Sequence, residues 1–99
     1  MNYRFSPEAR IDLLAAADFY ETRRAGLGAE FGVDVGLALA RVLEAPRRWP
    51  EMEPGIRRFR LDRFPYAIIY RISSAQMVDI IAIFDLRRRP GSWRRDRES

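Results

Sequence analysis

The hydrophobic period of this chain changes once, and proline marks the change. Up to Glu44 apolar residues recur at three- and four-residue spacing, whereas from Ile56 they alternate or run together. Between the two patterns stand Pro46, Pro50 and Pro54, with Gly55 closing the interval. Proline fixes φ and has no backbone N–H, so neither a helix nor a central strand runs through such a stretch. Pro46 to Gly55, which also holds Trp49, therefore reads as a loop. Helices precede it and strands follow it. A chain of 99 residues segregated in this way reads as one α+β domain.

Residues 2–6 alternate weakly and suit a short N-terminal strand. Ser6-Pro7-Glu8 is a helix start: the hydroxyl caps, the proline suits the first turn, and the acid favours the dipole. The first helix is expected to run to about Arg24, with Ala9, Leu13, Ala16, Ala17 and Tyr20 on one face. Ile11, Leu14, Ala15 and Phe19 form a second apolar stripe on the other side. Two stripes mean burial on both sides or a surface kept for a partner. Gly26-Leu27-Gly28 breaks the helix. A second helix spans roughly Ala29 to Glu44, with Phe31, Val35, Ala38, Leu39 and Val42 inward and Val33 and Leu37 elsewhere. The short turn makes the two helices an antiparallel hairpin.

Beyond the prolines, Ile56 to Leu61 alternates, with Phe59 and Leu61 on one face and Arg58 and Arg60 on the other. Tyr66 to Ile72 and Met77 to Phe84 are further strands, separated by turns at 62–65 and 73–76. These connections favour antiparallel pairing. Met77 to Phe84 is the most continuously apolar strand and is expected at the centre of the sheet. Asp85 to Ser99 reads as an arginine-rich loop. The predicted fold is an N-terminal strand, a helix hairpin packed on a small sheet, and three antiparallel strands closing it.

Composition removes most enzyme chemistries. There is no cysteine and no histidine, and all 18 basic residues are arginine. Disulfides, thiolate metal sites, catalytic dyads built on imidazole, lysine Schiff bases and the usual P-loop are excluded. No carboxylate cluster suggests a metal, and no cofactor is expected. The longest clean apolar run, Ile80 to Phe84, is far below the ~18 residues of a membrane span. The N-terminus has no apolar signal core, so a cytoplasmic protein without membrane contact is expected.

Charge is unevenly distributed. Residues 1–55 hold seven arginines and nine acids, whereas residues 56–99 hold eleven arginines and five acids. Arg57, Arg58, Arg60, Arg63 and Arg71 lie on or near the first two strands after the prolines. Arg87, Arg88 and Arg89 follow the last strand, then Trp93, Arg94 and Arg95. Such a patch suits phosphate or an acidic partner, with solvated surface as the plain alternative. Trp93 either stacks on a ligand or lids the core, and the lid is preferred. Glu51, Glu53 and Asp85 are the candidate acid–base groups, although exposed carboxylates among arginines are more simply ion pairs.

The ordered set Phe5-Ser6-Pro7-Glu8-Ala9, Asp12-Leu13, Phe19-Tyr20-Glu21, Gly26-Leu27-Gly28, Phe31, Pro46 and Trp49-Pro50 carries a resemblance over nearly the whole chain. Its most specific pieces are Gly55-Ile56-Arg57-Arg58, Arg63-Phe64-Pro65-Tyr66, Tyr70-Arg71 and Arg87-Arg88-Arg89-Pro90-Gly91-Ser92-Trp93. The chain resembles the RelE/ParE superfamily of toxins from bacterial type II toxin–antitoxin systems, nearest the ParE-like or plasmid-stabilisation branch. That implies a single toxin domain over residues 1–99 and a hetero-oligomer with a cognate antitoxin whose acidic tail folds on binding. Ile11, Leu14, Phe19, Val33 and Leu37 then become candidate antitoxin contacts. Arg57, Arg58, Arg60, Arg63, Arg71, Arg87, Arg88, Arg89 and Trp93 become candidate target contacts.

The resemblance implies three alternatives. ParE-like members poison DNA gyrase, RelE-like members cut messenger RNA in the ribosome, and a degenerate member only binds its antitoxin. Many relatives have histidine where this chain has Asp85 and tyrosine where it has Ser92. Both departures remove proton-transfer groups, which weighs against the nuclease and leaves no catalytic residue assigned.

Overall fold

The computed structural model describes residues 1–96. The chain runs β1 (Asn2–Phe5), α1 (Pro7–Arg23), α2 (Leu27–Glu44), β2 (Glu51–Glu53), β3 (Ile56–Arg60), β4 (Tyr66–Ser74) and β5 (Met77–Asp85), ending in a 3₁₀ turn over Ser92–Asp96. The strands form one five-stranded sheet in the order β1-β5-β4-β3-β2. β1 pairs with β5 in parallel, and every other pairing is antiparallel. The α+β outline expected from the change of period is the observed one.

Each helix begins as its sequence dictates. The Ser6 hydroxyl accepts from the Ala9 N–H at 3.0 Å and itself donates to the Ile81 carbonyl at 3.1 Å, so one residue caps α1 and ties it to β5. Asp12, one turn on, accepts from the Ile83 N–H at 3.0 Å. This satisfies the edge of β5 where β1 has ended, because an unpaired backbone donor there would be costly. α2 starts two residues earlier than expected. Glu21 accepts from the N–H groups of Gly26 and Gly28 at 2.9 and 3.0 Å and so caps the second helix from the end of the first. Those two bonds hold its carboxyl below the ordinary range. Gly28 is required by proximity, since a Cβ there would sit 2.6 Å from the Ala17 carbonyl oxygen.

The helix hairpin covers one face of the sheet. Ala9, Ala16 and Tyr20 from α1, and Phe31, Val35, Ala38, Leu39 and Val42 from α2, pack on Tyr66, Ile68, Tyr70, Val78, Ile80 and Ile83. On the other face Ile69, Ala82, Phe84 and Trp93 form a smaller second core, flanked by Ile56, Ile81 and Leu86. Parity along β4 switches faces between Ile68 and Ile69, as a strand must. On β5 one extra residue is accommodated where Ile69↔Ala82 is followed by Tyr70↔Ile80. A bulge of this kind increases local twist.

Three expectations need correction. The interval 46–55 contains a short edge strand, β2, because the turn at Gly55 (φ 80°) reverses the chain onto β3. Prolines at its margins are tolerated because one side of an edge strand needs no donor. β4, not β5, is the middle strand of the sheet; β5 reads as continuously apolar because both of its faces are covered. The tail is not wholly loop, since Ser92–Asp96 forms a 3₁₀ turn. Residues 97–99 lie outside the described residues.

Asp34 is the one buried charged side chain of the described residues, at 4% exposure. Its Oδ2 accepts from the N–H groups of Arg63 and Phe64 at 3.0 and 3.3 Å, pinning the β3–β4 loop to α2. Removing it orphans two backbone donors. Asp34→Ala is therefore expected to lower the unfolding free energy by about 2–4 kcal/mol in urea titrations, with Asp34→Asn losing clearly less because it keeps an acceptor.

Candidate functional site

Most residues singled out by sequence fall on two surfaces, the outer side of the helix layer and the sheet face away from it, which meet at two edges: Phe19 shares a cavity with Arg87 and Arg88, and Leu37 shares one with Arg60. On the outer side of the helix layer, Ile11, Leu14, Val33 and Leu37 are 58–66% exposed, and Phe19 is 38% exposed. The second stripe is thus not buried within the chain. Gly32 and Gly36 of α2 have open space where a Cβ would stand, which leaves that side of the helix low. Phe19 has Arg23 and Arg87 over its ring, at 4.6 and 6.0 Å. It also lines a cavity of about 260 Å³ with Tyr66, Asp85, Arg87 and Arg88, where α1 meets the end of β5.

The sheet face away from the helices carries the arginines. The register sets Arg58 opposite Ile69 and Arg60 opposite Ala67. Ile69 is opposite Ala82, and Ala67 is opposite Phe84. Arg58, Arg60 and Arg71 therefore share the open face with the second core. Arg87, Arg88 and Arg89 leave the end of β5, where the Leu86 N–H donates to the Pro65 carbonyl at 2.9 Å. Trp93 is 6% exposed and sits within the second core, so it lids the sheet rather than presenting a ring to solvent. Its indole is stacked by the Arg94 guanidinium at 4.8 Å, and Arg94 pairs with Glu53 of β2.

The nine candidate target residues thus divide by what they hold. Arg57 lies on the helix side, opposite Tyr70. It donates to the carbonyls of Arg47 and Trp49 at 3.1 and 2.6 Å and pairs with Glu51 at 3.2 Å, binding the proline loop to the sheet. Arg63 pairs with Glu30 at 3.0 Å. Arg87 pairs with Asp85 at 2.9 Å. Arg58, Arg60 and Arg89 have no ion pair among the described residues. Arg71 and Arg88 feel Asp79 and Asp85 only at longer range. The Arg95 side chain lies outside the described residues.

The same pairs engage all three candidate acid–base groups. Glu51 meets Arg57, Glu53 meets Arg94, and Asp85 meets Arg87. Burial alone would raise the Asp85 carboxyl, but the side chain and backbone N–H of Arg87 outweigh it and hold it below the ordinary carboxylate range. Burial raises the Tyr66 hydroxyl, and it pushes Tyr70, which donates to the Pro46 carbonyl at 2.7 Å, up to about 12. No group of three or more His, Cys, Asp or Glu residues placed to hold a metal occurs among the described residues. Nor is any helix among them long and apolar enough to cross a membrane.

With this geometry in hand, a sequence model described as "ParE toxin of type II toxin-antitoxin system, parDE" matches residues 3–90. The chain belongs to the ParE toxin family. No curated protein sequence matches it. Among solved structures it is similar to a chain of the "Chromosomal ParDE TA system from P. aeruginosa", at TM-score 0.73 and 21% identity, covering 87% of this chain and 96% of that one. At that identity the likeness shows a shared fold.

Sequence reading named Asp12 and Glu21 only within the resemblance and passed over Asp34, and gave no role to these three carboxylates that set the β5 edge, the hairpin and the loop. The Asp85–Arg87 pair gives a pH test. The folded carboxyl titrates below its unfolded value, so the pair stabilises at neutral pH, and that stability is lost as pH falls from about 4 through the folded value. Asp85→Asn is expected to lower stability at pH 7 and to flatten this acid loss, as measured by urea midpoints from pH 7 to pH 3.

Proposed function

We propose that this chain is a ParE-like toxin, neutralised by a cognate antitoxin, whose target is DNA gyrase and whose action is binding rather than RNA cleavage. The observation that carries the reading is the make-up of the open face. Its arginines keep their charge at any physiological pH. Asp85 and Glu53 beside them are already paired to arginine, and the nearby tyrosine hydroxyls titrate above their usual range. Cleaving RNA requires one group to take the 2′-hydroxyl proton and another to give one to the leaving oxygen. Groups fixed in one protonation state serve neither role well. They do serve to hold phosphate or an acidic surface.

Membership of the ParE family supports the pairing with an antitoxin, and the exposed helix stripe supports a place for it. Ile11, Leu14, Val33 and Leu37, with Phe19 at the cavity, offer an apolar track to a segment that folds as it binds. An acidic segment gains further from the arginines at the end of β5. The hetero-oligomer so formed is expected in the cytoplasm.

Pulse labelling in the first minutes after induction tests the target. DNA synthesis is expected to fail first, and purified gyrase is expected to lose supercoiling activity and accumulate cleaved DNA. Protein synthesis failing first, with cuts in translated messages, would instead establish the RelE-like nuclease. Neither falling, with soluble and abundant chain, would mean a member that only binds its antitoxin. Arg88→Glu with Arg89→Glu is expected to abolish growth inhibition while the unfolding free energy shifts by less than about 0.5 kcal/mol, since both side chains are exposed. Leu14→Glu with Leu37→Glu is expected to keep growth inhibition and lose neutralisation by the product of the adjacent antitoxin gene, read by co-purification.

A further inference from the structure

The carboxylates of the sheet are matched one to one with arginines. Asp79 pairs with Arg4, Asp85 with Arg87, Glu51 with Arg57 and Glu53 with Arg94. What remains on the open face is a set without a close ion pair among the described residues: Arg58, Arg60 and Arg89, with Arg71 opposite Asp79 and Arg88 near Asp85 only at longer range. The set is ordered along the strands. Arg71 stands four residues from Ala67 on β4, which is ~14 Å at the usual rise. Arg58 and Arg60 lie beside Ile69 and Ala67, within that interval. The turn carrying Arg88 and Arg89 continues past the Phe84 end, where Ala67 and Phe84 are opposite. The result is a positive strip that runs across β3, β4 and the end of β5, on a surface that Trp93 and Phe84 leave apolar and closed.

We infer that this strip binds the phosphate backbone of duplex DNA directly, so that the toxin contacts the DNA that gyrase holds as well as gyrase itself. Duplex DNA presents one negative charge per ~1.7 Å of axis, so several phosphates come within reach of each guanidinium along the face, which scattered carboxylates on a protein do not provide. Guanidinium forks are also suited to paired phosphate oxygens. The choice of duplex over single strand follows from the aromatics. Binders of unpaired strands offer rings on which bases stack. Here Trp93, Phe84, Tyr66 and Tyr70 are all buried. The exposed aromatics among the described residues are Tyr3, which meets Phe5 edge-on, and Phe19 on α1. Phe5 packs into the helix-side core, so neither ring belongs to the open face.

The inference rests on the gyrase reading for its biological setting, but its test needs no gyrase. Fluorescence anisotropy of the full chain with a labelled 20-base-pair duplex is expected to show salt-dependent binding. Four to five phosphate contacts give a log–log slope near −4, so affinity falls about 250-fold between 50 and 200 mM salt. Arg58→Gln with Arg60→Gln is expected to reduce that slope by about 2. Arg10→Gln, an exposed arginine on the helix layer, is the charge control and is expected to leave the slope unchanged. Circular dichroism confirms that each variant is folded. Equal loss in the control would show diffuse attraction and overturn the strip. Tighter binding to the single strand, or to RNA of the same sequence, would overturn the duplex assignment. Gyrase inhibition without duplex binding would overturn this inference and leave the target standing. Duplex binding without gyrase inhibition would do the reverse.

Discussion

Four aromatic rings from four different segments meet at one point, and the positions of both candidate surfaces follow from it. Tyr20 of α1 lies 5.5 Å from Phe31 of α2, 4.7 Å from Phe64 of the β3–β4 loop and 6.1 Å from Tyr66 of β4. Phe31 is in turn 5.2 Å from Phe64 and 5.0 Å from Tyr66. Most of the contacts are edge-on, the arrangement the ring quadrupole favours. Rings of this size dominate what a small core can bury, so the knot fixes the hairpin's rotation over the sheet. A different rotation of α1 would bury Ile11 and Leu14 and expose Tyr20.

The knot also sets the end of the sheet from which the arginines emerge. Phe64 cannot sit among the rings unless its loop folds inward, and Asp34 supplies the acceptor that makes this affordable for the backbone. Pro65, next in sequence, then offers its carbonyl to Leu86. That bond directs the chain after β5 across the open face, where Leu86 and Trp93 reach the second core. Asp85 and Arg87 straddle the departure point. The acid of that pair shapes the turn through the Arg87 N–H as well as the side chain, at 2.9 Å in each case. Its place is that of a structural brace, which is what a histidine-free chain can build there.

Much of this was legible from residue pattern. The change of period at the prolines gave the two layers, and the second stripe of α1 was visible, with burial and a partner surface both open to it. Parity alone separates Arg57 from its neighbours: it shares a face with Phe59, which packs on the helix side, whereas Arg58 and Arg60 do not. The candidate set could have been trimmed on that ground. Asp12, Glu21 and Asp34 could not be read, because an acid on a helix looks the same whether it meets water or a distant backbone N–H. β2 was hidden for a related reason. Three residues between prolines carry no periodicity, and only the strand beside them makes them a strand.

The two surfaces face away from each other, and this constrains any mechanism of neutralisation. The molecule is 21 Å across its thinnest axis. A segment lying on Leu14 and Leu37 leaves the open face of the sheet untouched unless it continues around an edge. An extended chain covers at most about 3.3–3.6 Å per residue, so crossing that thickness takes at least six or seven residues beyond the helical track. Two edges join the surfaces: the α1–β5 side, where Phe19 shares a cavity with Arg87 and Arg88, and the α2–β3 side, where Leu37 shares one with Arg60; the first forms a path from apolar to basic surface. An acidic stretch following an amphipathic one matches that path in order as well as in charge. Neutralisation by covering the arginines therefore requires a partner segment of both kinds. A partner confined to the helix stripe would leave the arginines exposed and would have to act by some route other than covering them.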